Sequence, residues 1–346
     1  MALTVYLMEA LQPLIYRRPS EIAAQAHGPA VGAASMEQPF PTGLAGALAN
    51  YARLRGLCSP SSCGDTGFEN LEECLRGLLG KGFHLYTGFM LDGAGEVWAP
   101  SPSRGFARLR DFPRLFMAQV QGSRIDAEVL EPPRRQRVGI ALNPSTKTVR
   151  RGMLYVMEEQ LPPETLQPAL LVSAPNAETL PGSLPSLLGS KGRMVVLRRS
   201  SSGVESVAEL LVHGGDGCGR WLLALASPAL LDWSPWEEVV ELTDGRAVRS
   251  LAGSLLAGTP IEPGRVSAVL VPKRAPGLEV IAPGWCTPEG RPRRPYLHVP
   301  PGTMLLVEAD RGSIEKAVER GLGLYTELGW GTVAAVCVED AGAGKE

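Results

Sequence analysis

The chain has 346 residues, of which 44% are hydrophobic and 20% charged, and its 34 Lys and Arg against 36 Asp and Glu give a formal net charge of −2. The length suggests two domains, and the balanced charge excludes a protein that binds polyanions through a uniformly basic surface. No apolar run reaches the ~18 residues of a membrane span, and the N-terminus lacks the order of a signal peptide. The sequence therefore predicts a cytoplasmic protein without membrane contact.

The N-terminal segment predicts a central strand followed by a basic loop. Residues 2–9 are apolar on both faces, which is typical of a strand in the middle of a sheet. Arg17 and Arg18 follow in an extended segment, and His27 lies in a loop of small residues.

A helix is predicted to open at residues 40–48. Pro41 and Thr42 suit a helix start, and the small residues Ala45, Gly46 and Ala47 let the backbone of the first turn approach a sheet or a ligand. The free N–H groups of such a turn can bind a phosphate.

Residues 58–135 predict a short helix at 71–79 and a β-hairpin formed by 83–91 and 96–99. The remaining positions of this segment are rich in proline. We interpret the segment as an insertion, made largely of loops, in a smaller domain.

A regular pattern resumes at 137–142 and 152–158, which predict a second hairpin. Strands are predicted at 168–173 and 194–199, and a short helical segment at 179–188. In the second half, strands are predicted within 221–231, 266–272, 279–283 and 296–309, a helix or turn at 248–256, a helix at 313–320, and a final strand that ends near 339.

Each half reads approximately as strand–helix–strand–strand–helix–strand, which is the ferredoxin-like βαββαβ pattern also used by RNA-recognition modules. The predicted fold class is therefore α+β, with two ferredoxin-like domains. Their predicted limits are 1–200, with the insertion at about 58–135, and 201–340. Residues 341–346 are predicted to be a disordered tail.

Four glycines lie between the last predicted helix and the last strand, at Gly321, Gly323, Gly329 and Gly331. Glycine is favoured where the backbone has a positive φ or approaches another group closely. Such a loop can present its backbone N–H groups to a phosphate, and a tight turn without a ligand remains the alternative. Trp330 or Tyr325 can either stack on an unpaired base or pack beneath the loop.

Three of the six cysteines, Cys58, Cys63 and Cys74, are close together, and their spacing is not that of a zinc knuckle. Free thiols or a local disulfide fit this spacing better than a metal site. The sequence indicates no cofactor.

Five local clusters of basic residues interrupt the balanced charge, and each can be an ordinary solvated surface. They are Arg104/Arg108/Arg110/Arg114, Arg134/Arg135/Arg137, Lys147/Arg150/Arg151, Lys191/Arg193/Arg198/Arg199 and Arg291/Arg293/Arg294.

Six stretches, taken in order, resemble one family of RAMP proteins, the subunit of type III-B (Cmr) CRISPR effector complexes that grips the 5′ tag of the crRNA. These stretches are PLIYRRP (13–19), PFPTGLAGAL (39–48), TKTVRRGMLYVMEEQL (146–161), GSKGRMVVL (189–197), PGWCTPEGRPRRPYLHVPPGTMLLVE (283–308) and GLGLYTELGWGTV (321–333). The resemblance does not cover residues 58–135.

The resemblance implies a protein that holds RNA and has no catalytic activity. Its implied partners are the crRNA 5′ tag, the large polymerase/cyclase-like subunit, the backbone RAMP subunits and, indirectly, the target RNA. The residues expected to contact RNA are Arg17, Arg18, Thr42, Gly43, Lys147, Arg150, Arg151, Arg293, Arg294, Gly321, Gly323, Gly329, Trp330 and Gly331.

Two alternatives remain open. Some RAMP proteins cleave repeat RNA without a metal by using a histidine as general acid or base, and His27 is the one histidine suitably placed for that role. The equivalent subunit of a Csm-type complex would share the fold and most of the function.

Overall fold

The computed structural model describes residues 2–16, 32–33, 36–58, 68–123, 127–142, 145–146, 148–161, 165–188, 193–201, 204–232, 245–272, 278–281, 285–286 and 291–338. In this part of the chain, helices are combined with sheets that are mainly antiparallel. The predicted α+β class is therefore confirmed.

The described residues up to position 201 form eleven strands and three α-helices. In chain order they are β1 (Ala2–Ala10), β2 (Gly32–Ala33), α1 (Pro41–Leu54), α2 (Glu69–Leu79), β3 (His84–Asp92), β4 (Val97–Pro100), β5 (Phe106–Arg108), α3 (Phe112–Gln121), β6 (Val129–Leu130), β7 (Arg134–Leu142), β8 (Val149–Gln160), β9 (Leu166–Ala174), β10 (Ser183–Leu188) and β11 (Arg193–Arg199).

The described residues from position 204 onward form ten strands and three α-helices. They are α4 (Val207–Leu211), β12 (Val212–His213), β13 (Arg220–Leu225), β14 (Ala229–Asp232), α5 (Gly245–Leu256), β15 (Val266–Leu270), β16 (Glu279–Ile281), β17 (Trp285–Cys286), β18 (Arg291–Pro292), β19 (Tyr296–Val299), β20 (Met304–Glu308), α6 (Arg311–Arg320) and β21 (Val333–Cys337).

The larger sheet has eight strands in the order β10-β11-β1-β9-β3-β4-β5-β6. Its strand β1 lies between β11 and β9 and is antiparallel to both, which confirms the predicted central strand. Side chains on both of its faces are buried. Tyr6 packs in a cluster with Leu48 of α1 and Leu75 of α2. Val5 belongs to the cluster that contains Leu223 of the other large sheet.

The second large sheet has the order β12-β21-β13-β20-β15. Helix α5 lies between β13 and β15 in the chain, and α6 lies between β20 and β21. Buried leucines of β13 and alanines of β21 face the same core as Val5, so the two large sheets share one apolar cluster. Each fully buried leucine contributes ~1.5–3 kcal/mol to stability.

Strands β7 and β8 form an antiparallel ribbon, joined by the short β2 in a sheet of their own. All five residues 134–138 are exposed, including Val138 at 61%. The side chains of this part of β7 are therefore accessible to a ligand, whereas Glu159 and Gln160 on the paired part of β8 are buried. Two smaller sheets, β14-β19-β16 and β17-β18, complete the described strands.

The helical prediction for 179–188 is wrong, because residues Ser183–Leu188 form strand β10. Along this strand exposed and buried positions alternate, with Leu184 and Leu188 buried. Proline at position 185 opposes a helix, and pairing with β11 provides the backbone partners. The alternation of exposed and buried positions with a period of two is the pattern that indicates a strand.

Residues 58–135 contribute more regular structure than the predicted loops. Helix α3 spans Phe112–Gln121, and Pro113 lies in its first turn, where proline fits a helix. Strand β3 pairs directly with β9 in the larger sheet, so this strand belongs to the main sheet. The predicted hairpin is confirmed by the pairing of β3 with β4. The predicted domain limit at residue 200 stays a prediction.

His84 lies at a contact between β3 and α6. Its ring stacks on Tyr86 with 4.4 Å between ring centroids, and the Tyr86 hydroxyl donates to the carbonyl of Glu319 at 2.8 Å. Burial, and secondly the charge of Arg320, lower the pKa of His84 from 6.5 to about 4.

We expect this histidine to make stability dependent on pH between those two values. In that range the unfolded chain binds a proton that the folded chain does not, so the contribution is complete above pH 6.5 and is lost as the pH falls towards 4. The loss is about 3 kcal/mol. Urea unfolding across this pH range measures it, and His84→Gln serves as the comparison. An equally steep pH dependence in the variant would contradict the assignment.

Candidate RNA interface

The glycine loop runs from the end of α6 to the start of β21 and is closed by backbone contacts. All four of its glycines have positive φ, between 64° and 89°. The Leu322 N–H donates to the Gly331 carbonyl at 2.8 Å, and the Gly331 N–H donates to the Pro228 carbonyl at 2.8 Å. A Cβ on Gly331 would overlap the carbonyl oxygen of Leu322. The expectation of positive φ and close backbone approach is therefore confirmed.

The carbonyl of Gly329 accepts hydrogen bonds from three buried hydroxyl groups. The donors are Thr87 Oγ1 at 3.0 Å, Ser227 Oγ at 2.7 Å and Thr332 Oγ1 at 3.2 Å. Thr87 belongs to the larger sheet, whereas Ser227 follows β13 of the second large sheet. The loop thus joins the two sheets, and this side of it belongs to the core.

Trp330 is fully buried, with 0% of its surface exposed. Its ring lies 5.5 Å from that of Phe40 and 6.4 Å from that of Phe68. Among the described residues, the indole Nε1 has no hydrogen-bond partner. Packing beneath the loop is the arrangement that the structure shows, so stacking on a base would require Trp330 to leave this aromatic cluster.

The exposed side of the loop lies between Gly323 and Glu327. Leu324 is 39% exposed there, and Tyr325 has the left-handed backbone conformation, with φ of 57°. The ring of Tyr325 lies 4.4 Å from that of Phe68, and its hydroxyl is 2.7 Å from the hydroxyl of Tyr296. Tyr325 is therefore the aromatic residue of the loop that reaches the surface.

Carboxyl groups lie beside this exposed side. Burial, and secondly the charge of Glu327, raise the pKa of Glu72 above its ordinary value, and a hydrogen bond between the two groups acts in the same direction. Arg294 lies over the Tyr296 ring, 5.7 Å from its centroid, and pairs with Asp232 at 2.9 Å. The local charge is thus mixed.

The first turn of α1 faces protein. A Cβ on Gly43 would lie 3.4 Å from the side chain of Leu188, so the small residue allows the helix to approach β10. Thr42 is partly exposed in the same turn. The two residues predicted for RNA contact are therefore neighbours in the structure, but Gly43 faces the sheet.

The other predicted residues are described only in part. Arg17, Arg18, Lys147 and His27 lie outside the described residues, as do the side chains of Arg150 and Arg151, whose backbone is in β8. Arg293 is partly buried, and its Nε has no hydrogen-bond partner among the described residues.

The structure also brings together charged residues of β7 and β8 that the sequence did not predict to contact RNA. Strand β7 carries Arg134, Arg135 and Arg137. Strand β8 places Glu159 opposite Arg135 and Glu158 opposite Gln136. Which residues face each other across the hairpin depends on the register of the two strands. The sequence alone does not specify this register, and a shift by one residue exchanges the faces.

Two disulfides are described, Cys58–Cys74 and Cys218–Cys337. The first is the local disulfide that the sequence left open. Within the described part of the chain, there is no group of three or more His, Cys, Asp or Glu side chains that could hold a metal ion. Nor does any described helix have the length and apolar character needed to cross a membrane.

The fold is similar to that of chains in solved complexes. One match is to the "Cryo-EM structure of the Type III-B Cmr-beta bound to cognate target RNA", with a TM-score of 0.54, 16% identity and coverage of 87% of this chain and 86% of that one. A second, to the same type of complex bound to cognate target RNA and AMPPnP, has a TM-score of 0.53 and the same identity and coverage. The chain thus has the fold of a Type III-B Cmr-beta chain.

The sequence identifies the family within that fold. The family model of the CRISPR-associated protein (Cas_Cmr3) matches residues 118–338, which is more than half of the chain. The chain belongs to this family, and the predicted likeness to a Cmr-type CRISPR RAMP subunit is confirmed. No curated protein matches the sequence.

Proposed function

We propose that this chain is the crRNA-binding subunit of a type III-B CRISPR effector complex and holds the crRNA 5′ tag. The family match over residues 118–338 carries the proposal, and the similar fold of chains from complexes bound to cognate target RNA supports it. In this role the chain bridges the large polymerase/cyclase-like subunit and the backbone RAMP subunits, and takes part in antiviral defence in the cytoplasm.

The proposal includes two ferredoxin-like units. In the larger sheet, the order β11-β1-β9-β3 places the first and third of four strands in the middle. In the second large sheet, β21-β13-β20-β15 has the same arrangement, with α5 and α6 as the two connecting helices. The first unit departs from the pattern between β9 and β11, where strand β10 replaces the second helix.

The RNA contacts proposed for this role are electrostatic and local. Arg17, Arg18, Lys147, Arg150 and Arg151 would neutralise phosphates, and Arg293 and Arg294 would do so beside the exposed side of the glycine loop. Stacking of one unpaired base on an aromatic side chain would add ~1–3 kcal/mol. The balanced net charge of −2 agrees with binding at a limited site.

The proposed role requires no catalytic residue. Cleavage of repeat RNA with His27 as general acid or base is the second candidate, carried by the position of His27 after Arg17 and Arg18 in the sequence. Membership of the Cas_Cmr3 family favours a Cmr-type complex over a Csm-type one.

Purified protein is expected to bind a labelled crRNA and to leave it intact in EDTA. A crRNA with a scrambled 5′ tag is expected to bind about tenfold more weakly, since the contacts to one base are worth ~1–3 kcal/mol. Fluorescence anisotropy measures the affinity, and a denaturing gel detects cleavage.

The His27→Ala variant is the control for catalysis. Equal affinity for the two RNAs would contradict recognition of the tag. A discrete cut in the crRNA that disappears in His27→Ala would replace the binding role with the nuclease role.

A further inference from the structure

Three arginines converge on one buried carboxylate at the base of the β7–β8 ribbon. The side chain of Glu159 is 0% exposed. Its oxygens lie 2.9 Å from Arg135 Nε, 3.3 Å from Arg137 Nη1 and 2.8 Å from Arg193 Nη2. Among the ion pairs of the described residues, this is the one carboxylate that three cations share.

Strand pairing explains the convergence. Arg135 lies opposite Glu159 in the register of β7 and β8, and Arg137 lies two residues further along the same face. Arg193 is the first residue of β11 in the larger sheet, so it reaches the ribbon from a separate element. The site therefore forms only when the ribbon and the larger sheet are both in place.

The charges of this group do not balance. Burial alone would raise the pKa of Glu159, but hydrogen bonds from Arg135 and Arg137 outweigh burial and lower the pKa below its ordinary value. The carboxylate is therefore ionised, and three guanidinium groups against one carboxylate leave a charge of +2. Arg135 and Arg137 carry it to the surface, where they are 52% and 53% exposed.

The two exposed arginines also retain unused donors. A guanidinium has five N–H groups in a planar fork, and each of these two arginines uses one nitrogen on Glu159. The fork matches the oxygens of a phosphate, and a fixed fork loses less entropy on binding than a free side chain.

Arg134, on the same strand, has the opposite arrangement. It pairs with Glu158 at 2.7 Å and with Glu37 at 3.3 Å, so two carboxylates compensate one cation. The contrast within a few residues indicates that the excess charge at Glu159 is local and not a property of the whole ribbon.

We propose that Arg135 and Arg137 form a binding site for the phosphodiester backbone of RNA and that Glu159 is the positioning residue that holds their guanidinium groups in place. The inference rests on the proposed RNA-binding function and adds residues to it. The binding is independent of base sequence, because the donors match phosphate oxygens.

The first test compares the double variant Arg135→Gln/Arg137→Gln with Arg134→Gln. With labelled crRNA, the double variant is expected to bind about tenfold or more weakly, since hydrogen bonds to charged groups are strong. Loss of two phosphate contacts is expected to make the slope of log affinity against log salt concentration shallower by about 1.4. Arg134→Gln is expected to change neither quantity measurably.

The second test separates positioning from simple charge. Glu159→Gln adds one positive charge and would strengthen binding if only net charge mattered. The amide keeps one acceptor oxygen but places an NH₂ donor against an arginine, so loss of the shared carboxylate is expected to weaken binding severalfold. Glu158→Gln makes the same charge change one residue away and is expected to leave affinity unchanged or slightly stronger. Thermal unfolding verifies that each variant is folded.

The outcomes distinguish this site from the proposed function. Wild-type protein that binds no crRNA would overturn both. Wild-type protein that binds crRNA while the double variant matches it in affinity and salt slope would overturn this site alone. The site would also be overturned if the double variant bound crRNA normally but failed to assemble with the other subunits, because an acidic protein surface would then be the partner. Tighter binding by Glu159→Gln would overturn the positioning role.

Discussion

Replacement of Gly331 by alanine is expected to destabilise the protein by about 4 kcal/mol or more, which approaches the whole stability of many proteins. Gly331 has φ of 64°, and a Cβ there would overlap the carbonyl oxygen of Leu322. Both of its backbone groups are used, since its N–H donates to Pro228 and its carbonyl accepts from Leu322. The neighbouring atoms are backbone, so the loop cannot relax without breaking these bonds.

Gly82→Ala is the matched control for this prediction. Gly82 has φ of 78°, but a Cβ there would meet no atom within 4 Å. Its substitution therefore isolates the cost of the left-handed conformation, ~1–2 kcal/mol. Urea unfolding followed by circular dichroism compares the two variants. Equal midpoints would show that the loop accommodates a side chain and is not held as described.

The glycine loop illustrates which part of the site the sequence can predict. Spacing of the glycines and their place between α6 and β21 correctly indicated positive φ and close backbone approach. The chemical nature of the close neighbour was not predictable, because Thr87 and Ser227 reach Gly329 from distant parts of the chain. Local sequence carries information about backbone conformation, whereas these contacts depend on how the two large sheets pack.

The secondary-structure elements also divide into those that the local sequence predicts and those that it does not. Strand β1 was predictable because both of its faces are apolar, and the hairpins β3–β4 and β7–β8 because their strands flank turn residues. Prolines at 181 and 185 obscure the period of two along strand β10. Pro113, in the first turn of helix α3, is as typical of a loop as of a helix start. Proline is ambiguous in sequence, since it fits edge strands and helix starts as well as loops.

The site around Glu159 was hidden for a different reason. Arg135 and Arg137 were recognised as part of one basic cluster among five, with nothing to distinguish it from a solvated surface. What distinguishes it is the burial of Glu159 and the arrival of Arg193 from β11. Both depend on long-range pairing, and a cluster of charges in sequence does not reveal how many counter-charges surround it.

Trp330→Ala is expected to cost about 3–5 kcal/mol, because it removes a fully buried aromatic ring from contact with Phe40 and Phe68. Trp330→Phe is expected to cost much less, since the lost indole N–H has no partner among the described residues. Trp221→Phe is the matched control. Trp221 is also fully buried, but its Nε1 donates to the Cys218 carbonyl at 3.2 Å, so its replacement should cost ~0.5–1.5 kcal/mol more than Trp330→Phe.

A substitution at position 330 also tests whether Trp330 stacks on an RNA base or only packs beneath the glycine loop. Trp330→Leu keeps an apolar side chain in the core but removes the aromatic surface, so crRNA affinity is expected to stay within about twofold while stability falls. A base stacked on Trp330 would instead contribute ~1–3 kcal/mol, and its loss would weaken binding by about tenfold or more. Affinity measured by anisotropy below the unfolding transition decides between them. A large loss of affinity in folded Trp330→Leu would mean that the loop opens when RNA binds, and that the aromatic cluster with Phe40 and Phe68 is the closed state of the interface.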